Sequence, residues 1–137
     1  MVGLSIVLLV DDDVTETAIR SVVYQSEGFI ALTAFHWDEA LIMCKQLPVG
    51  LAVLDIEMPG CNGLELARKI RALDRSISIV MYSGACGVEW HGVADAFLDK
   101  NSGPSQLLEI SRRLMNTKRM CFGNRVQIPR DEVMRGS

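Results

Sequence analysis

Residues 51–66 read Leu-Ala-Val-Leu-Asp-Ile-Glu-Met-Pro-Gly-Cys-Asn-Gly-Leu-Glu-Leu, and everything else in the sequence is best interpreted around Asp55. The first four residues are an unbroken apolar run, which is typical of a buried strand in a parallel sheet when turn formers follow it. Asp55 would stand at the carboxyl end of this strand, where open α/β sheets place their functional sites. The competing interpretation is an ordinary turn residue, because Asp before Pro-Gly often bonds a nearby backbone N–H.

Length and composition indicate one globular domain. A chain of 137 residues, 49% hydrophobic and 23% charged, can bury a core without metal or disulfide support. The four cysteines lie far apart and form no Cys-x-x-Cys pair, which argues against a zinc site or a disulfide framework. We therefore expect a reducing compartment, and a cytoplasmic location.

The apolar N-terminus is predicted to be a strand rather than a targeting segment. Residues 1–10 lack a basic region and run directly into Asp11-Asp12-Asp13. No apolar run reaches the length that a membrane-spanning helix needs, so we expect no membrane partner.

The charge distribution divides the chain into an acidic body and a basic tail. Residues 112–137 hold seven Arg and Lys against two acids, a net charge of +5, whereas residues 1–111 carry a net −8. We predict a domain over residues 1–118, followed by a flexible tail over 119–137 or the stump of a linker to an output domain missing from this sequence. The tail shows no helix-turn-helix and no zinc spacing, and we expect no direct nucleic-acid binding by the domain itself.

Three consecutive aspartates at the end of the first predicted strand suggest a metal. Adjacent carboxylates repel one another and raise each other's pKa unless a cation lies among them. The alternative is an Asp N-cap for the next helix, which needs only one of the three.

Strands and helices alternate along the rest of the chain. Strands are predicted over residues 5–10, 29–34, 51–54, 77–82 and 94–98, and helices over 14–27, 37–47, 63–72 and from Pro104 through Leu114. In the first helix, the apolar spacing predicts that Ile19, Val22, Val23 and Ser26 form the inward face.

This alternation predicts a doubly wound α/β fold with a parallel sheet. The polar residues singled out then follow strand ends at one edge of the sheet, and they comprise Asp11 to Asp13, Asp55, Ser83 and Lys100.

With these residues in place, the sequence resembles the receiver domain of two-component response regulators. The resemblance covers roughly residues 6–115 and rests on four motifs: Leu-Leu-Val-Asp-Asp-Asp, Asp-x-x-Met-Pro-Gly-x-x-Gly-Leu, Met-Tyr-Ser-Gly-Ala and Ala-Phe-Leu-x-Lys. It implies a flavodoxin-like fold, a five-stranded parallel sheet with strand order 2-1-3-4-5.

The resemblance also implies roles for particular residues. Asp55 matches the phosphoacceptor, and Mg²⁺ would be held by Asp11, Asp12, Asp55 and the backbone carbonyl of Glu57. The phosphoryl-binding and switch positions correspond to Ser83, Gly84, Lys100 and Phe97. Asp13 would be a bystander or an indirect participant.

The function that the resemblance implies is a phosphoacceptor signalling module of a phosphorelay. It would take a phosphoryl group from a histidine kinase or a phosphotransfer protein and change its binding to a downstream protein partner or output domain. A homodimer is a further possibility that the resemblance raises. We expect no enzyme activity beyond self-phosphorylation and self-dephosphorylation.

Two departures from the family pattern are visible. Asn101 follows Lys100 where the family usually has a cis-proline, and we predict a trans bond or a rearranged loop because a cis bond to a non-proline residue costs about 2.5–4 kcal/mol. The sixteen residues between Ser83 and Lys100 contain Gly84, Gly87 and Gly92, so a fourth helix there is expected to be shortened or irregular.

Two other functions remain open on the sequence. One is a pseudo-receiver that binds partners without phosphorylation, which the Asn101 departure motivates. The other is a haloacid-dehalogenase-like phosphohydrolase, because Asp11-x-Asp13-x-Thr15 after an apolar strand also fits that signature. The absence of further acidic residues on a strand after Lys100 counts against it.

Overall fold

A computed structural model of the chain describes residues 5–58, 60–84 and 92–124. Its main feature is a five-stranded, all-parallel sheet, accompanied by a short two-stranded antiparallel hairpin. The strands are β1 (Ile6–Val10), β2 (Ile30–Ala34), β3 (Leu51–Leu54), β4 (Glu57–Met58), β5 (Cys61–Asn62), β6 (Ser78–Ser83) and β7 (Ala96–Asp99). The helices are α1 (Val14–Ser26), α2 (Trp37–Gln46), α3 (Gly63–Leu73) and α4 (Pro104–Asn124), with a 3₁₀ turn at Lys100–Ser102.

The large sheet has the order β2-β1-β3-β6-β7, which is the predicted 2-1-3-4-5 order once the hairpin strands are left out. The chain order reverses beside β1, between that strand and β3. In sheets of this kind, the crevice at the carboxyl ends of the strands on either side of the reversal is the usual ligand site. An aspartate directly follows each of these two strands, Asp11 after β1 and Asp55 after β3.

The sheet is covered on both faces, which explains why its central strands are apolar throughout. All residues of β1, β3 and β6 are buried, including the hydroxyl residues Ser78 and Ser83. One core cluster lies beneath α2 and α3, and it includes Ala40, Leu66 and Ile70. The other lies beneath α1 and α4, where Leu107, Ile110 and Leu114 are buried.

The predicted inward face of α1 is wrong. Ile19 and Val22 are 59% and 63% exposed, whereas the buried residues of this helix are Thr17, Arg20 and Tyr24. The physical reason is that the helix packs over Asp11 and Tyr82, which offer a carboxylate and an aromatic face to a buried cation. Tyr24 fills the apolar part of the same interface, and its hydroxyl shares a 2.7 Å hydrogen bond with Ser111 of α4.

A tight loop connects β3 to α3 and fixes the backbone around Asp55. The Gly63 N–H donates to the Ile56 carbonyl at 2.8 Å, and a Cβ at Gly63 would lie 2.3 Å from the Asp55 carbonyl oxygen. Only glycine allows this approach. The β4–β5 hairpin was not predicted, and Gly60 at its tip has φ +82°, a value that glycine adopts readily.

The connection between β6 and β7 is only partly described. The predicted shortening of a fourth helix falls on residues 85–91, outside the described residues, and Gly92 just after them has φ +84°. Arg71 of α3 anchors the approach to β7, because its guanidinium donates to the carbonyls of Val93 and Ile77 and pairs with Asp95 at 2.6 Å.

The Lys100–Asn101 bond is trans, as predicted, since no cis peptide bond occurs in the part of the chain that the structure describes. A 3₁₀ turn takes the place of the expected loop, and the Asp99 carboxylate accepts the Asn101 N–H at 2.8 Å.

Helix α4 continues to Asn124, six residues beyond the predicted end of the domain at residue 118. The division into a domain and a tail therefore stays a prediction, and residues 125–137 lie outside the described part. Among the described residues, no helix is both long and apolar enough to cross a membrane.

Candidate functional site

Three carboxylates from the ends of two central strands form the centre of the site. Asp11 and Asp12 follow β1, Asp55 follows β3, and one carboxylate oxygen of each lies within 4.8 Å of the others. Asp11 and Asp55 are 1% and 7% exposed, while Asp12 is exposed. Because β1 and β3 are adjacent and parallel, residues 44 positions apart in the sequence meet at one edge of the sheet.

Asp13 has a separate role as the N-cap of α1. Its carboxylate accepts the Glu16 N–H at 3.0 Å, which satisfies one of the otherwise unpaired donors of the first helical turn. The three consecutive aspartates therefore have different roles, since Asp13 caps the helix and the other two belong to the carboxylate cluster.

Lys100 supplies a cation to the cluster from the end of β7. Its Nζ lies 3.0 Å from Asp11 Oδ2, 3.4 Å from Asp55 Oδ2 and 3.6 Å from Glu16 Oε2. The substitution of Asn for the usual proline at position 101 therefore does not move the lysine away from Asp55. The Tyr82 hydroxyl donates to the Lys100 carbonyl at 3.2 Å and so holds the backbone at this point.

Two of the remaining predicted residues, Ser83 and Glu57, interact with Asp55. Ser83 is fully buried at the end of β6, and a hydrogen bond from its side chain reaches the Asp55 carboxylate. Gly84 follows it in an exposed position, where a side chain would meet open space. The Glu57 N–H donates to Asp55 Oδ1 at 3.2 Å, while the Glu57 side chain is exposed. Phe97 on β7 is partly buried and packs against the core cluster beneath α2 and α3.

Arg20 also belongs to the site, although the sequence patterns did not predict it. Its NH2 donates to Asp11 Oδ2 at 2.7 Å, and its guanidinium lies 5.1 Å from the centre of the Tyr82 ring. A helix periodicity that counts only apolar residues cannot find it. The available signal was its spacing, since Thr17, Arg20 and Tyr24 recur at i, i+3 and i+7 on one face of the helix.

The pKa values of the two buried aspartates are shifted in opposite directions. Burial raises the pKa of Asp55, and the negative charge of Asp11 raises it further, against the opposing effects of Lys100, the Glu57 N–H and Ser83. Burial also acts to raise the pKa of Asp11, but hydrogen bonds from the Asp13 N–H, Arg20 and Lys100 outweigh it and the pKa is lowered. For Lys100, burial lowers the pKa, yet Asp11 and Asp55 raise it above the usual value, so the ammonium stays charged.

The donor set suits a hard divalent cation such as Mg²⁺. Three carboxylates that converge from two strands supply only oxygen ligands, and Asp12 remains open to solvent so that water can complete an octahedron. Burial and the negative charge of Asp11 raise the pKa of Asp55, and a cation bound among the carboxylates would oppose both effects.

The fold and the site together define a flavodoxin-like α/β domain with an acidic pocket and a lysine at the point where the strand order reverses. The model of the response regulator receiver domain family matches residues 7–112, and the chain belongs to this family, which serves in two-component systems. The sequence-based identification and the predicted fold are both confirmed.

The curated relatives are transcriptional response regulators. The chain is 31% identical over 128 residues to the C4-dicarboxylate transport transcriptional regulatory protein DctD of Pseudomonas aeruginosa, with 87% of this chain and 27% of that protein covered. It is 35% identical over 75 residues to the DNA-binding response regulator MtrA of Mycobacterium tuberculosis, with 55% of this chain and 32% of that protein covered. The chain thus spans about a quarter to a third of the length of these relatives.

Solved receiver domains have the same architecture. A CheY-like receiver domain protein from Methanospirillum hungatei superposes with a TM-score of 0.81 at 26% identity, covering 85% of this chain and 98% of that one. The response regulator TrrA of Thermotoga maritima, solved in complex with Mg²⁺-BeF, gives a TM-score of 0.75 at 29% identity, covering 81% and 99%.

The family match counts against the phosphohydrolase alternative. The family is a signalling module and not a conventional enzyme. Asp13, which belongs to the signature that suggested this alternative, caps α1.

Proposed function

We propose that this domain is a phosphorylation-controlled switch in which Asp55 accepts a phosphoryl group from a histidine kinase or a phosphotransfer protein. The observation that carries the proposal is the convergence of Asp11, Asp12 and Asp55 with Lys100 at the carboxyl edge of the sheet. The family match and the TrrA complex with Mg²⁺-BeF support it.

The chemical step needs a nucleophile and positive charge rather than a general base. A carboxylate oxygen of Asp55 attacks phosphorus, the bond from phosphorus to the donor nitrogen breaks, and its electron pair returns to the donor's imidazole, leaving an acyl phosphate on Asp55. Asp55 reacts as the anion. Lys100, whose Nζ lies 3.4 Å from Asp55 Oδ2, would neutralise negative charge on the arriving phosphoryl oxygens. Mg²⁺, held by Asp11, Asp12, Asp55 and the Glu57 carbonyl, would neutralise further charge on those oxygens.

Phosphorylation would change the surroundings of Asp55 in two ways. A phosphoryl oxygen competes with the Asp55 carboxylate for the Ser83 hydroxyl and for Lys100, which now contact the carboxylate itself. A shift of Ser83 toward the phosphoryl group would open space beside β6 for Phe97, whose ring is partly buried on the neighbouring strand. We propose this pair as the two-state element that carries the signal to a partner or an output domain.

The direct test is the mass of the intact protein after incubation with Mg²⁺ and acetyl phosphate. We expect the mass gain of one phosphoryl group in the wild type, and its loss in Asp55→Asn or when a chelator is present. Asp38→Asn is the matched control, because it removes an exposed carboxylate of α2 that does not belong to the cluster.

A folded wild-type protein that gains no mass, and that a broad panel of phosphorylated histidine kinases also fails to label, would contradict the proposal. That result would favour the pseudo-receiver, in which the same fold binds partners without phosphorylation.

A further inference from the structure

Arg20 is a buried cation that the proposed phosphoryl chemistry does not use. It lies on α1, 8% exposed, with its guanidinium between the Asp11 carboxylate and the Tyr82 ring. Its Nε has no hydrogen-bond partner among the described residues, although the atom is buried. A buried guanidinium with one donor unpaired is costly, so its presence calls for a compensating interaction.

Asp11 is the main source of that compensation, beside the cation–π contact with the Tyr82 ring. The Arg20–Asp11 distance is 2.7 Å, whereas the nearest oxygen of Glu16 lies 4.0 Å from Arg20 and belongs to a half-exposed side chain. Arg20 and Lys100 both point at the same atom, Asp11 Oδ2. The other oxygen, Asp11 Oδ1, accepts the Asp13 N–H at 3.0 Å. Both oxygens of this carboxylate are therefore engaged by donors of the protein itself.

This arrangement places Arg20 in competition with a divalent cation for Asp11. A metal ion that bound Asp11 would either displace the guanidinium from Oδ2 or sit close to it, and in a buried pocket two such positive charges repel strongly. Lys100 can turn toward a phosphoryl group, because its side chain is 22% exposed and lysine carries its charge on a stem with several rotatable bonds. The side chain of Arg20 is only 9% exposed and is held by the Tyr82 ring, so it has little freedom to leave.

We propose that Arg20 is a positioning residue that stands in for part of the metal's charge in the resting pocket, and thereby sets a low affinity for Mg²⁺. This inference rests on the proposed function, since it assumes that the carboxylate cluster is the metal site. Its consequence is a pocket that stays assembled without metal and fills with Mg²⁺ only at high concentration or when a phosphoryl group adds negative charge.

The test is calorimetric titration of the whole protein with Mg²⁺, with no phosphodonor present. We expect Arg20→Met to bind Mg²⁺ roughly tenfold more tightly than the wild type, because a neutral side chain of similar length removes the competing charge. Arg20→Lys should stay within about threefold of the wild type, since the charge remains. Lys45→Met removes the same charge from an exposed position on α2 and should change nothing.

The outcomes separate this inference from the proposed function. An unchanged or weaker affinity in Arg20→Met, with clear binding by the wild type, would overturn the role of Arg20 and leave the metal site standing. If neither protein bound Mg²⁺, the metal site itself would fail, and the role of Arg20 with it. A melting temperature that falls in chelator and recovers with Mg²⁺ in Arg20→Met would add support that a purely structural arginine would not give.

A second measurement uses the wild type alone and does not depend on the variant folding. The side-chain Nε–Hε signal of Arg20 is followed by nuclear magnetic resonance during the Mg²⁺ titration, with Arg71 as the internal reference because it is paired to Asp95 and not to the cluster. We expect the Arg20 signal to shift and the Arg71 signal to stay. An Arg20 signal that does not move at saturating Mg²⁺ would refute the proposal.

Discussion

Asp11 and Asp55 carry the same functional group within 4.8 Å of each other, but their surroundings treat them differently. Asp11 receives two close cations and a backbone N–H, while Asp55 receives one more distant lysine, the Glu57 N–H and the Ser83 side chain. Their pKa values accordingly move in opposite directions. Asp11 is thus held by two close cations, and the negative charge of Asp55 is less fully compensated, which suits a nucleophile.

This difference predicts opposite effects of removing each charge in the absence of divalent metal. The native-state pKa of Asp55 is raised, so its ionised form lowers the free energy of unfolding at pH 7. This destabilisation disappears as the pH falls through the raised pKa towards the usual value of 3.8. We expect Asp55→Asn to be more stable than the wild type at pH 7, and the gain to vanish at acid pH. Urea denaturation in chelator at several pH values measures it.

Asp11→Asn is the paired variant with the opposite sign. The native-state pKa of Asp11 is lowered, so its stabilising contribution is present above the usual 3.8 and is lost as pH falls through the native value. At pH 7 we expect a loss on the order of 3 kcal/mol, because Arg20 is left buried without its counter-ion. Equal responses of the two variants would show that the two carboxylates do not differ in this way.

At the scale of elements, the site depends on how β7 is held against the sheet. Asp95 begins the approach to this strand, and its Oδ2 accepts the Ile79 N–H at 2.8 Å as well as pairing with Arg71. Arg71 therefore ties the end of α3, the start of β6 and the approach to β7 with one side chain. Since β7 ends at Lys100, this contact helps to fix the position of the lysine beside Asp55.

Arg71→Met tests this anchor. The substitution keeps the aliphatic stem and removes three hydrogen bonds, and the guanidinium is only partly exposed. We expect the free energy of unfolding to fall by about 2 kcal/mol and the amide exchange of residues 96–98 to become faster. The control is Arg68→Met, an exposed position on the same helix, where a change within about 0.5 kcal/mol is expected. A similar response of both variants would argue against the anchor.

For the molecule as a whole, we predict that the exposed face of α1 contacts a phosphodonor protein. Val14, Ile19 and Val22 are 59%, 59% and 63% exposed, and the helix that carries them begins directly after the carboxylate cluster. A donor must bring its phosphorylated histidine to Asp55, so a partner helix packed on this face would lie beside the pocket. Apolar side chains exposed in this way are common features of protein docking surfaces.

The double variant Ile19→Glu, Val22→Glu tests this surface. We expect at least a tenfold loss in the rate of phosphotransfer from any histidine kinase that labels the wild type, and an unchanged rate with acetyl phosphate, which needs no docking surface. Ile42→Glu is the matched control, since Ile42 is 52% exposed on α2, which covers the other face of the sheet. A parallel loss with both donors would indicate damage to the pocket instead.

The sequence by itself determined the parallel sheet and the residues of the carboxylate cluster, and the order of the strands followed from the resemblance to receiver domains. Apolar runs mark strands whatever surrounds them, and parallel topology brings the residues that follow those runs to one edge, so Asp11, Asp55 and Lys100 could be placed together before the structure was known. The trans bond at Asn101 followed in the same way from a local energy difference.

Only the tertiary structure decided the orientation of α1 and the role of Arg20. Both faces of this helix carry residues that could be buried, and apolar spacing favoured Ile19 and Val22. The choice depended on what the sheet offered opposite the helix, a carboxylate at Asp11 and an aromatic ring at Tyr82, which are far from Arg20 in the sequence and compensate its burial only in three dimensions. A local pattern contains no information about such a partner, and for this reason the charge of the pocket could not be worked out from the sequence.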